Sequence, residues 1–76
     1  MKLKISLKNK ENAMKFVNSI QSLQSNFDIV IGQSAIDAKS ILGILTLDLS
    51  KTYLISCDIA ENEKEKAMEI LSEYLV

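Results

Sequence analysis

Few side chains in this sequence have the chemistry for a functional site, and Ser40 is the best placed of them. It follows Lys39 and precedes an apolar segment, so it stands where the N-cap of a helix is expected. Its hydroxyl can accept a hydrogen bond from the free amide groups of the next turn. Ser40 is therefore either a helix cap alone or a cap that also serves as a docking or modification site.

Most catalytic and metal-binding chemistry is missing from the composition. The chain has no histidine and no arginine, and Cys57 is its single cysteine. The usual proton shuttle, the commonest metal ligand and the bidentate phosphate clamp are therefore absent. One cysteine forms no intramolecular disulfide and no cysteine-based zinc site, and we expect Cys57 to be a small buried hydrophobic residue. We expect a protein that is not an enzyme, with no catalytic residue, cofactor or metal.

Charge and hydropathy exclude two classes of partner. Residues 1–39 hold six lysines and three acidic residues (+3), and residues 40–76 hold three lysines and seven acidic residues (−4), for a net charge of −1. A nucleic-acid-binding protein would show one coherent basic face, so no direct nucleic-acid partner is expected. No apolar run approaches the roughly 18 residues of a membrane span, and no export signal opens the chain. The cytoplasm is the expected location.

Hydrophobic periodicity predicts four strands and three helices in the order βαββαβα. Alternating apolar residues indicate strands at 2–8, 27–31, 35–37 and 52–59, and three- and four-residue spacing indicates helices at 13–24, after Ser40 and near the C-terminus. In the last helix, Asn62 and Glu65 have the spacing of a capping box, and Leu75 continues the apolar stripe. Residues 1–76 are thus predicted to form one α+β domain, a four-stranded antiparallel sheet with three helices on one face.

The predicted core comes from the inward side of this arrangement. Its expected members are Leu3, Ile5, Phe16, Val17, Ile20, Ile29, Ile55, Ile70 and Leu71.

Residues 41–47 have more apolar side chains than one side of a short helix can bury. A fully buried strand also fits such a run, but Gly43 and the preceding serine favour a helix. Ile41, Ile44 and Leu45 would form one stripe of that helix, and Leu42 would point to solvent. Leu45 fits either the core or an exposed patch.

The segment from Lys39 to Leu45, together with the order of elements, resembles the regulatory segment of the histidine phosphocarrier protein family, HPr. That family has Lys-Ser-Ile-Met-Gly-Val-Met or a close variant, and Lys39, Ser40, Ile41 and Gly43 match it. The resemblance implies the HPr-like open-faced β-sandwich. One departure is clear. HPr proteins have a Gly-Ile-His-Ala-Arg-Pro signature between the first strand and first helix, and residues 8–12 here read Lys-Asn-Lys-Glu-Asn.

The resemblance also implies a function without phosphohistidine. The chain is similar to the catabolite-repression paralogue of HPr in bacteria, which lacks the phospho-accepting histidine. The matching serine there is phosphorylated by HPr kinase/phosphorylase, and the product binds a LacI-type catabolite regulator. We therefore expect a regulatory protein of the sugar phosphotransferase and carbon catabolite control system, with Ser40 as phosphorylation site and Lys39, Ile41, Leu42 and Leu45 as partner-binding residues. The alternative is an unmodified homologue that docks a protein partner through the helix at residues 40–47.

Overall fold

The computed structural model describes residues 1–76 and has the predicted βαββαβα order. The elements are β1 (Lys2–Ser6), α1 (Lys10–Ile20), β2 (Asn26–Ile31), β3 (Ser34–Asp37), α2 (Ile41–Ile44), β4 (Thr52–Asp58), a 3-10 helix (Glu61–Glu63) and α3 (Lys64–Ser72). The four strands form one antiparallel sheet in the order β1-β4-β2-β3. The α+β fold with three helices is confirmed.

Alternation along the strands places one face of the sheet in the core. In β4, Ile55 and Cys57 are buried and Leu54 is exposed, as the period-two pattern predicts. Ile55 pairs with Leu3 on one side and Ile29 on the other, which joins three strands through their apolar face. The fully buried large side chains, Phe16, Phe27, Ile5, Leu7, Ile20, Ile29, Ile44, Ile55 and Leu71, come from this face and the helices above it.

Seven of the nine predicted core residues are buried, and the other two, Leu3 and Ile70, are partly buried against the core. The prediction for Cys57 is confirmed, because its side chain is 5% exposed.

Helix α1 lies three to four residues nearer the N-terminus than the predicted range 13–24. It begins at Lys10 because the side chain of Asn9 accepts from the amide of Asn12 (2.8 Å) and caps the first turn. It ends at Ile20, where the amide of Leu23 forms a tighter turn with the carbonyl of Ile20. The amides of Gln24 and Ser25 then donate to the carboxylate of Glu63 and do not extend the helix. Apolar spacing continues to Leu23, which is buried without being helical.

Two predicted features of the C-terminal helix are wrong. Asn62 lies inside the 3-10 helix, and α3 has no side-chain cap, so the expected Asn62–Glu65 capping box does not form. The helix ends at Ser72, and Leu75 lies beyond it in an isolated β-bridge with Ile5. The amide of Ser6 donates to the carbonyl of Tyr74, and the amide of Val76 donates to the carbonyl of Lys4, so the C-terminal residues cover the outer edge of β1.

None of the helices has the length and hydropathy that a membrane span requires.

Candidate functional site

The connection from β3 into α2 is fixed by local hydrogen bonds that place Ser40 at the start of the helix. Ser40 has extended backbone angles (φ −90°, ψ 103°), and its Oγ accepts from the amide of Gly43 at 3.3 Å. The amide of Lys39, the residue before Ser40, donates to the Oδ1 of Asp37 at 2.9 Å. The prediction that Ser40 caps a helix is confirmed, and its side chain is exposed.

Helix α2 has an inner and an outer side, as expected from its excess of apolar residues. Ile44 is fully buried and Ile41 packs partly against the core, whereas Leu42 is 77% exposed. Leu45, which the sequence left open, is half-buried at the end of the helix. The helix covers only Ile41–Ile44, so it is shorter than the predicted range 41–47. We call the surface formed by the exposed Ser40 and Leu42 and the partly exposed Ile41 and Leu45 the α2 surface.

Lys39, predicted to belong to the same partner-binding set, directs its ammonium group to a neighbouring connection of the fold. Its Nζ donates to the carbonyl of Leu23, and its own carbonyl accepts from the side-chain amide of Gln21. These two bonds tie the start of α2 to the end of α1. Lys39 is half-buried and holds two connections together.

A second polar cluster, which the sequence analysis missed, lies beside this tie. The carboxylate of Glu63 accepts from the amide of Gln24 (2.7 Å), the amide of Ser25 (2.8 Å) and the hydroxyl of Ser25 (2.5 Å). The Oγ of Ser25 also accepts from the amide of Ala60 at 2.9 Å. These contacts lower the pKa of the Glu63 carboxyl. The largest contribution is the hydrogen bond from the hydroxyl of Ser25, and the next is the hydrogen bond from the amide of Gln24. The amide of Ser25 and the charge of Lys39 contribute less. In sequence, Glu63 looks like any acidic residue near the start of a helix.

The connection between β1 and α1, where the resemblance to HPr breaks down, has a strained turn in place of the histidine signature. Lys8 has a φ of 71°, and the amide of Asn9 donates to the carbonyl of Leu7 at 2.8 Å across it. This turn places Asn9 as the cap of α1. The connection contains no imidazole, because the chain has no histidine.

Replacing Lys8 by glycine is expected to raise the free energy of unfolding by about 0.5–1 kcal/mol. Left-handed backbone costs an L-residue about 1–2 kcal/mol, and the greater entropy of unfolded glycine offsets part of the gain. Denaturant unfolding measures the change. Lys10→Gly, two residues later in the first turn of α1, is the matched control and should lower stability, because its backbone is helical. A loss of stability in Lys8→Gly would contradict the inference that the left-handed backbone of Lys8 destabilises the folded protein.

Cys57 does not contribute a nucleophile. Its thiol is buried, and burial raises its pKa, so the protonated form prevails near neutral pH.

Comparison with known proteins identifies relatives of this chain. The family model described as the PTS HPr component phosphorylation site matches residues 9–76. Among solved structures, HPr-C-His from Thermoanaerobacter tengcongensis is 25% identical with a TM-score of 0.73, and the alignment covers 96% of this chain and 88% of that one. The phosphocarrier protein HPr from Bacillus anthracis str. Ames is 26% identical with a TM-score of 0.72, covering 100% and 94% of the two chains. No curated protein sequence matches.

Proposed function

The chain belongs to the PTS HPr family, and from this premise we propose that it is a non-catalytic regulatory member whose signalling group is Ser40. The chain has no histidine, so it cannot carry a phosphoryl group on an imidazole. The proposed partners are an HPr kinase/phosphorylase and a LacI-type catabolite regulator. The proposed location is the cytoplasm.

The observation that carries this proposal is the exposure of both Ser40 and Leu42 at the start of α2. A hydroxyl at the surface is reachable by a kinase, and an apolar side chain that is 77% exposed offers a partner a contact that folding leaves unused. In the phosphorylation step, the Oγ of Ser40 attacks the γ-phosphorus of ATP, the bond to ADP breaks, and the hydroxyl proton passes to the kinase. The α2 surface then has both an apolar contact and a new charge.

The added charge should act on binding more than on folding. A phosphoserine has about −1.5 to −2 charges near neutral pH. The ammonium of Lys39 is already bonded to the carbonyl of Leu23, so this chain has no free lysine side chain next to Ser40 in sequence. We therefore infer that the partner supplies the cations that read the phosphate, as arginine clusters do in other phosphoserine complexes.

A second candidate function is an unmodified homologue that docks a protein partner through α2. The exposure of Leu42 favours it, because this apolar contact exists without any phosphate. Leu42→Lys should weaken binding under both proposals. Only the regulatory protein should lose binding in Ser40→Ala.

The deciding experiment is phosphorylation by an HPr kinase and ATP, followed by intact-mass and peptide mass spectrometry. We expect one phosphoryl group on Ser40 and none in Ser40→Ala. Ser34→Ala, which removes another exposed hydroxyl at the start of β3, should be modified like the unchanged protein.

Two controls make this result decisive. An ordinary HPr treated in parallel shows that the kinase is active, and incubation of this chain with enzyme I and phosphoenolpyruvate should leave it unmodified. If the ordinary HPr is converted and Ser40 is not, the regulatory proposal is wrong and the docking function replaces it.

A further inference from the structure

The face of the sheet that is turned away from the helices has a regular charge pattern. The register aligns two rows of side chains across the strands in the order β1-β4-β2-β3: Lys2, Ser56, Asp28 and Asp37 in one row, and Lys4, Leu54, Val30 and Ala35 in the next. We call this surface the open sheet face. Its β1 edge is positive and its opposite edge is negative.

The negative edge has no neutralising partner within the chain. Asp28 and Asp37 are directly opposite each other on neighbouring strands, an arrangement in which like charges destabilise a sheet. The one ion pair of the structure joins Lys15 and Glu73, on the helical side. Lys2 is in the same row, but three strand spacings, about 14 Å, separate its backbone from that of Asp37.

The centre of the open sheet face is apolar. Leu54 is 42% exposed, and its neighbour across the ladder, Val30, is half-buried. The pattern across the face is therefore cationic, apolar and anionic. A surface with this pattern is complementary to itself after a half-turn.

We propose that the open sheet face binds the same face of a second copy of this chain, about a two-fold axis parallel to the strands between β4 and β2. That operation places β1 over the partner's β3 and β4 over the partner's β2. Lys2 then faces the partner's Asp37, and Leu54 packs on the partner's Val30. Each contact occurs twice, as in any two-fold interface.

A second copy fits this face better than an unrelated partner. A uniformly acidic or basic surface would satisfy one edge and repel the other, whereas the same face supplies both signs at the right spacing. Four strands about 4.8 Å apart and two to three rows of side chains give about 400 Å² on each partner. This area is below the roughly 800 Å² of a standard interface, so the dimer should be weak and salt-sensitive.

The test is a charge exchange followed by sedimentation equilibrium and NMR diffusion from about 10 μM to about 2 mM at low salt. The unchanged protein should dimerise reversibly over this range. Lys2→Glu and Asp37→Lys should each weaken self-association about tenfold or more, because each places like charges opposite one another twice. An equimolar mixture of the two variants should recover association, since the glutamate introduced in one copy then faces the lysine introduced in the other.

Controls separate this effect from changes in net charge or folding. Lys66→Glu and Glu69→Lys make the same charge changes on the exposed side of α3 and should leave dimerisation unchanged. Because Asp37 also accepts from the amide of Lys39, replacing Asp37 changes a local hydrogen bond as well as the charge. Leu54→Asp is therefore a second kind of variant, which removes the apolar centre and leaves Lys2 and Asp37 in place. Thermal unfolding verifies that each variant is folded. A monomer at every concentration, or association that survives both charge variants, overturns the proposal.

Discussion

Replacing Ser25 by alanine is expected to lower the free energy of unfolding by about 1–3 kcal/mol, the usual effect of losing hydrogen bonds that are partly buried. Ser25 is 3% exposed, and its Oγ both donates to Glu63 and accepts from the amide of Ala60. Alanine leaves that amide without an acceptor and removes one of the three bonds to the carboxylate. For a domain of this size, each kcal/mol corresponds to about 4–8 °C in the unfolding midpoint.

Ser22→Ala is the matched control for this prediction. Ser22 belongs to the same connection between α1 and β2 but is exposed, so its hydroxyl has water as an alternative partner. Denaturant and thermal unfolding should show a large difference between the two variants. Equal stabilities would contradict the structural role of the Ser25 cluster.

The same cluster makes stability depend on pH through Glu63. Hydrogen bonds from Ser25 and Gln24 lower the pKa of this carboxyl below its ordinary value of 4.5 in the folded state. The stabilisation is therefore fully present above about pH 4.5 and is lost as the pH falls through the lower, folded-state pKa. The stability difference between the unchanged protein and Glu63→Gln should be largest near neutral pH and should shrink on acidification.

The pKa of Asp48 is also lowered, so its contribution has to be separated from that of Glu63. Its pKa is lowered first by the hydroxyl of Ser50 and then by the amide of Ser50. Because Asp48 is present in both the unchanged protein and Glu63→Gln, its contribution cancels from their difference. A difference that stays constant between neutral pH and about pH 3 would show that Glu63 has no pH-dependent role.

What the sequence predicts well in this protein is local. Alternation in β1 and β4 identifies the buried side chains correctly, because one period-two pattern determines both the strand and its inner face. The serine before the apolar segment predicts the start of α2, because a cap and its helix are adjacent in the chain. The choice of helix over strand for residues 41–44 is correct for the same reason.

What the sequence does not predict depends on residues far apart in the chain. Apolar spacing extends α1 to Leu23, but the amides that follow it bond to Glu63, 38 and 39 positions away. Asn62 has the spacing for a capping box, yet the backbone there forms a 3-10 helix. Leu75 fits the helical stripe of α3, yet it pairs with Ile5 at the other end of the chain. No local pattern contains these partners.

The residues of the candidate site also fall into these two groups, those that a local pattern predicts and those that depend on distant residues. Ser40 as a cap and Leu42 as an exposed residue follow from the local pattern of a short helix with apolar residues on two sides. Lys39 is different, because its bond to the carbonyl of Leu23 depends on how α1 ends and how α2 packs beside it. Its place in the motif gives no indication of that bond.

Replacing Gly43 by alanine is expected to lower the free energy of unfolding by up to about 2 kcal/mol, although alanine is the better helix former. A Cβ at this position would lie 2.8 Å from Cγ2 of Ile36 on β3, closer than a carbon–carbon contact allows. Overpacking of this kind costs about 1–3 kcal/mol, and the gain in helix propensity of roughly 1 kcal/mol offsets only part of it. Gly43 therefore lets α2 lie close to the sheet and hold Ser40 and Leu42 in place.

A double-mutant cycle with Ile36→Ala isolates this contact. Ile36→Ala removes Cγ2, so adding Gly43→Ala in that background should be neutral or stabilising by up to about 1 kcal/mol, as helix propensity then acts alone. Ile36→Val retains a methyl group at the Cγ2 position and should leave the penalty in place, which makes it the matched control. The expected coupling between positions 36 and 43 is about 1–3 kcal/mol, measured by denaturant unfolding. If Gly43→Ala has the same effect in all three backgrounds, the close approach of α2 to β3 is not the reason for glycine at this position.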